Sequence, residues 1–220
     1  LIPVFSYIFL LGKCRYCKQK IRPRYCIIEI LSGLVFLAMA YVMNISITNL
    51  NTTVLAESAF MALYLCFVFL MAGIDIENRK IEKSVSMYGV IISIAYIIYL
   101  CVIEKASIYR YIIYLIFYIL ILTLDTITLK KFAKNSYVNG VILTALTMTI
   151  FTGEYVTINT IAFTSLTVAI YILLNKLKQR RNKSLKTDKQ IWKDLKIGFY
   201  LSITNVLTIL YVLLYNNFIV

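Results

Sequence analysis

Seven times along this chain a run of mostly apolar residues comes close to the roughly 20 that carry a helix across a bilayer. The runs fall at about 27–44, 54–74, 84–103, 107–129, 137–152, 155–174 and 197–218. Hydrocarbon offers no water to backbone N–H and C=O groups, so a segment of this length that crosses it must bond internally, as a helix. With 61% hydrophobic residues and a mean hydropathy of +0.82, the chain lies far outside the range of soluble domains. The expectation is an all-α, polytopic membrane helix bundle of about seven spans. None of the connections is long enough to fold alone, so 27–220 reads as one transmembrane domain, preceded by a cytoplasmic or interfacial segment, 1–26.

The charges orient the bundle. Of the 23 Lys and Arg, all but Lys105 and Arg110 lie before the first run, between the second and third, between the fourth and fifth, or before the seventh. These are alternate connections, and the positive-inside rule makes them cytoplasmic. A net charge of +13 can also signal nucleic-acid binding, and the basic stretch Lys176 to Lys196 is the place to look for it. Topology accounts for that stretch, and no nucleic acid is expected as a partner. The opposite connections fit, because 44–53 is polar and uncharged and Thr152-Gly153-Glu154 is a tight turn. The expected location is the inner or plasma membrane, multi-pass, with the lipid bilayer itself as a partner. Leu1 to Leu11 is apolar but too short to span, so it reads as an interfacial or re-entrant stretch or as the end of a truncated span.

Five cysteines supply no extracellular disulfide framework. Cys66 and Cys101 fall inside runs, where packing explains them. Cys14 and Cys17 form one C-x-x-C in a cytoplasmic, reducing segment, with Cys26 following. Tetrahedral zinc takes four ligands and the chain has no histidine, so this pair is half of a zinc-type site.

Asp75 closes the second run, in Ala72-Gly73-Ile74-Asp75-Ile76-Glu77. A carboxylate at the edge of a membrane span is costly unless it is solvated, paired or used. That makes Asp75 the first candidate for chemistry. Glu29, early in the first run, serves either as support for such a site or as a carboxylate near a helix N-terminus.

Four short motifs stand in order near the start: Ile2-Pro3-Val4-Phe5-Ser6-Tyr7, Gly12-Lys13-Cys14-Arg15-Tyr16-Cys17, Ile21-Arg22-Pro23-Arg24-Tyr25 and Glu29-Ile30-Leu31-Ser32-Gly33. Together they resemble the N-terminal block of the type IV prepilin leader peptidases, a family of membrane aspartyl proteases. The resemblance implies eight spans in the full architecture, with one more span and one more C-x-x-C ahead of Ile2. It implies prepilin-like substrates, cut on the cytoplasmic side between a basic leader and a hydrophobic helix. It also makes Asp75 the counterpart of the family's first catalytic aspartate.

Aspartyl proteolysis uses two carboxylates too close to ionise together, one taking a proton from water while the other, protonated, polarises the scissile carbonyl. In the family the second aspartate lies in Gly-x-Gly-Asp-x-Lys. The matching stretch here is Ser136-Tyr137-Val138-Asn139-Gly140-Val141, which puts Asn139 at the position of the second aspartate. An amide cannot ionise. Asp125, near the cytoplasmic end of the fourth run, is the remaining acid placed to act as partner. Its plainer reading is a helix-end carboxylate near Lys130.

Some members also methylate the new N-terminus with S-adenosylmethionine, an activity that the missing cysteine pair argues against. Proteolysis needs no cofactor. The expected function is therefore a leader peptidase-like intramembrane aspartyl endopeptidase, with Asp75 as its acid. The alternative is a catalytically inactive relative that binds pilin or secretion-system components in the membrane.

Overall fold

The computed structural model describes residues 3–21, 23–43, 45, 51–78, 81–128, 136–181 and 195–219. Among them the chain is helical: α1 Pro3–Phe9, α2 Pro23–Val42, α3 Thr52–Asn78, α4 Lys83–Val102, α5 Ile108–Thr128, α6 Ser136–Arg181 and α7 Ile197–Ile219. α2 begins at Pro23, where the missing N–H and fixed φ of proline suit the start of a helix. Among the described residues, three stretches are long and apolar enough to cross a membrane, Thr52–Glu77, Lys83–Val102 and Tyr137–Gln179, and shorter apolar stretches lie at Cys26–Tyr41, Tyr111–Thr123 and Ile197–Val212.

Helix and apolar run do not share limits. α3 continues through Asp75 to Asn78, and α6 continues past the apolar residues to Arg181. Hydropathy marks what lipid would touch, whereas backbone hydrogen bonding runs on into polar sequence. α6 is also broken at Gly153, with φ 81° and ψ 167°. That conformation is open essentially to glycine alone. It falls in the turn expected between the fifth and sixth runs, so α6 comprises two helical halves. Across the break the Thr152 and Thr157 hydroxyls lie 3.4 Å apart.

The chain divides into two compact units, Leu1–Ser58 and Ala59–Val220. In the first, α1 leads into a short hairpin in which Lys13 and Lys20 pair antiparallel. The Cys14 amide donates to Gln19 O at 2.8 Å and the Ile21 amide to Gly12 O at 2.7 Å, which places the C-x-x-C at the hairpin tip.

The second unit packs around Tyr64, Phe67 and Met71 of α3, with Val90 and Ile97 of α4, Tyr118 of α5 and Met148 and Phe151 of α6. Tyr64 stacks on Phe151 at 4.8 Å, and Phe151 on Tyr96 at 4.6 Å. Polar groups inside this core are bonded to one another. Tyr64 OH donates to Asn205 Oδ1 at 2.6 Å, and Asn205 Nδ2 reaches Thr160 Oγ1 at 3.3 Å, joining α3, α6 and α7. Tyr118 OH donates to Ser93 Oγ at 3.1 Å and lies 2.9 Å from Thr147 Oγ1, joining α4, α5 and α6. Large apolar side chains such as Ile91, Ile98, Ile113, Ile116, Leu166 and Leu173 face outward instead. In water such a surface would drive association; against acyl chains it is neutral.

Candidate active site

Three helix ends meet at Asp75. The side chain lies in the last turns of α3 and is wholly buried. Its Oδ2 accepts a hydrogen bond from Tyr137 OH at 3.0 Å and another from the Phe199 amide at 2.8 Å. Tyr137 stands in the first turn of α6, and Phe199 in the first turn of α7. The Gly198 amide donates to Tyr137 OH at 3.2 Å, so the phenol accepts from α7 while donating to Asp75.

The first N–H groups of a helix have no partner within it, and the helix dipole favours a carboxylate there. Asp75 satisfies one of those N–H groups from another helix, acting as a cap for α7. A matching contact runs the other way. Lys196, just before α7, donates through Nζ to the Ile76 carbonyl near the C-terminal end of α3. An acid meets the positive end of one helix and a base meets the negative end of the other.

Two glycines allow this approach. A Cβ on Gly198 would stand 3.2 Å from Asp75 Oδ2, so a side chain there would press on the carboxylate. A Cβ on Gly140 would stand 2.7 Å from Cγ2 of the buried Ile81. Gly140 lies one turn beyond Tyr137 and on the same side of α6. Its bare backbone admits the α3–α4 connection, and that brings Tyr137 within reach of Asp75.

Of the residues singled out in the sequence, Asp75 is at this junction. Asn139 is half-buried and has an interaction of its own. Two residues apart on one helix, Tyr137 and Asn139 do not share a face. Asp125 falls near the end of α5, and its side chain lies outside the described residues. The partners of Asp75 that sequence reasoning missed are Tyr137, which fills the variable position of the family motif, and the backbone of α7. A signal was present for the second, since Lys196-Ile197-Gly198 directly precedes an apolar run, but it marks a helix start rather than what meets it.

In the first unit, the Cys14 thiol is held below the ordinary thiol range by the backbone N–H of Cys17, then that of Tyr16, with the Cys17 side chain and Lys18 adding to the effect. Cys17 is exposed and Cys26 is buried. Among the described residues no group of three or more His, Cys, Asp or Glu gathers in one place. The pair offers two thiolates where a closed zinc site needs four, so no step is assigned to a metal.

Comparison with known proteins adds the lineage to this geometry. An apolar helical chain with, among its described residues, one wholly buried acid has the character of a membrane protein with a candidate acid site. Residues 1–43 match the Bacterial Peptidase A24 N-terminal domain. Over 86 residues, 39% of this chain, it is 27% identical to the prepilin leader peptidase/N-methyltransferase of Klebsiella pneumoniae, covering 34% of that protein. A match of the same length to the prepilin leader peptidase/N-methyltransferase of Neisseria gonorrhoeae is 30% identical and covers 27% of that protein. The chain thus aligns with between about a quarter and a third of the length of the curated relatives it matches. No solved structure matches it. It is a distant relative of the prepilin leader peptidase family.

Proposed function

We propose that this chain is a prepilin leader peptidase-like intramembrane aspartyl endopeptidase. It removes leader peptides from prepilin-like proteins at the cytoplasmic face of the inner or plasma membrane. The observation that carries the reading is the state of Asp75: wholly buried, fixed through Oδ2, and with Oδ1 making no hydrogen bond among the described residues. A carboxylate that needed only to cap α7 would not require its second oxygen to be buried and unbonded, which costs on the order of 1–3 kcal/mol. In the peptidase reading it is this oxygen that takes a proton from water.

Seven crossings accompany this reading. The stretch Tyr137–Gln179, at about 1.5 Å per residue, is far longer than one passage of a roughly 30 Å hydrocarbon core. The break at Gly153 divides it into two. The basic connections then share one side with Asp75, and a basic leader would meet them there only if acids or lipid headgroups offset the repulsion. Asp125, near the same side, is the acid available for the second catalytic role.

A second reading is favoured by Asn139. With an amide at the position of the second aspartate, the chain would bind prepilin-like or secretion-system proteins without cutting them. Membranes carrying wild type, Asp125→Asn and Asn139→Asp, assayed for removal of a prepilin leader, separate the two readings. The peptidase reading expects cleavage by wild type and its loss in Asp125→Asn. No cleavage by wild type together with a gain in Asn139→Asp would establish the inactive relative.

A further inference from the structure

As the helices stand, no substrate can reach Asp75. The residue has no exposed surface, yet a general base must come within about 2.6–3.2 Å of the group whose proton it takes. Together with Tyr137, the start of α7 covers the carboxylate. The backbone of Gly198 stands against it, so that an added Cβ would lie 3.2 Å from Oδ2 and 3.4 Å from Cγ. The next amide, that of Phe199, donates to Oδ2 at 2.8 Å. Leu195 and Gly198 are buried in this segment, and Lys196, Ile197 and Phe199 are half-buried.

The two helices that meet Asp75 from outside α3 are held in different ways. α6 is held by packing, with Gly140 so close to Ile81 that a Cβ would stand 2.7 Å from it, and with Leu143 and Met148 in the core. The start of α7 is held by hydrogen bonds, from the Phe199 amide to Asp75, the Gly198 amide to Tyr137 OH and Lys196 Nζ to the Ile76 carbonyl. Leu195 adds one buried apolar side chain. Deeper in the bundle α7 is anchored. The Thr204 and Thr164 hydroxyls lie 2.6 Å apart, and Asn205 bonds to both Tyr64 and Thr160. Hydrogen bonds at a helix end exchange for bonds to water or peptide at small net cost, whereas a packed core opens only with the whole fold.

We propose that Leu195 to Phe199 form a gate over Asp75, with the bond from Lys196 to the Ile76 carbonyl as its latch. The gate's purpose rests on the peptidase reading, though the closure itself does not. Swinging away from α3, the segment uncovers the carboxylate and frees the Phe199 N–H, while α7 beyond it stays anchored at Thr204 and Asn205. Tyr137, on the packed side, keeps its bond to Oδ2, so the acid remains placed while its cover moves. Closing again keeps water from the acid between turnovers, as lids over other active sites do. Substrate meets only the open fraction, so kcat/KM scales with that fraction.

The test joins amide hydrogen exchange of the full chain in detergent to the cleavage assay. Lys196→Met removes the latch and keeps the apolar stem. It should speed exchange over 195–199 by about fivefold or more, the scale of one lost hydrogen bond, and leave 203–209 as slow as in wild type. Lys196→Arg, which keeps a donor, should exchange like wild type. At matched folded content, Lys196→Met should also raise kcat/KM by a similar factor. A lysine that merely supported the site would lower cleavage when lost, so faster exchange with slower cleavage overturns the gate. Exchange that is unchanged over 195–199, or that rises equally along α7, overturns it too. If wild type cleaves nothing, the peptidase reading fails, and the gate stands or falls on exchange alone.

Discussion

Tyr137→Phe removes one oxygen and with it both the bond to Asp75 and the acceptor for the Gly198 amide. A buried hydrogen bond contributes on the order of 1 kcal/mol, and leaving a buried polar partner unmet costs about 1–3. The variant should therefore unfold at lower temperature in detergent by an amount equivalent to about 1–3 kcal/mol, while Asn139→Ala, on another face of the helix, should cost less. Equal losses in the two would contradict the assignment of Tyr137 to Asp75. At the hairpin, a thiol held below its ordinary range is a thiolate at lower pH. Alkylation of Cys14, followed by peptide mass spectrometry, should reach half its maximal rate below the roughly 8.5 of a free thiol. A midpoint at or above that value would contradict the bonds from Cys17 and Tyr16. At this scale the sequence was half informative. Asp75 was legible because an acid at the edge of an apolar run is conspicuous by itself. Tyr137 was not, since one more Tyr among 18 carries no local mark. Its meaning arises only when residues 75, 137, 198 and 199 are brought together.

Among the elements, α6 shows what sequence does and does not convey. The Thr152-Gly153-Glu154 turn was expected, and the break is at Gly153. Gly153→Ala should cost on the order of 1–3 kcal/mol through backbone strain alone, because nothing lies within 4 Å of the added methyl. A thermal midpoint unchanged from wild type would show that the break does not need glycine. Gly140→Ala should be destabilising for the opposite reason. Its φ is ordinary, but the new Cβ would collide with Ile81, and overpacking costs about 1–3 kcal/mol. Sequence gave the approximate positions of the runs, since hydropathy reports burial in apolar surroundings of either kind. It could not say which face of each helix meets protein. The stripes of Tyr, Thr and Asn that bond α3, α6 and α7 together are interleaved with outward-facing Ile and Leu, and no periodic pattern separates them clearly.

For the whole molecule, the central question is whether the proposed peptidase, which resembles a family that uses two aspartates, can act from Asp75. The site geometry divides the work differently. Oδ2 of Asp75 is committed to structure, joining α3, α6 and α7, and the proposed function gives the reaction to Oδ1. This arrangement ties folding to the site, so variants of Asp75 should lose stability as well as activity, and measurements must be made at matched amounts of folded protein. The most direct measurement is the initial rate at which membranes remove the leader from a prepilin-like substrate, compared between wild type and Asp75→Asn at equal folded content. The account predicts cleavage by wild type and a loss of about 100-fold or more in the variant, the scale of a general base. Equal rates in the two would contradict it.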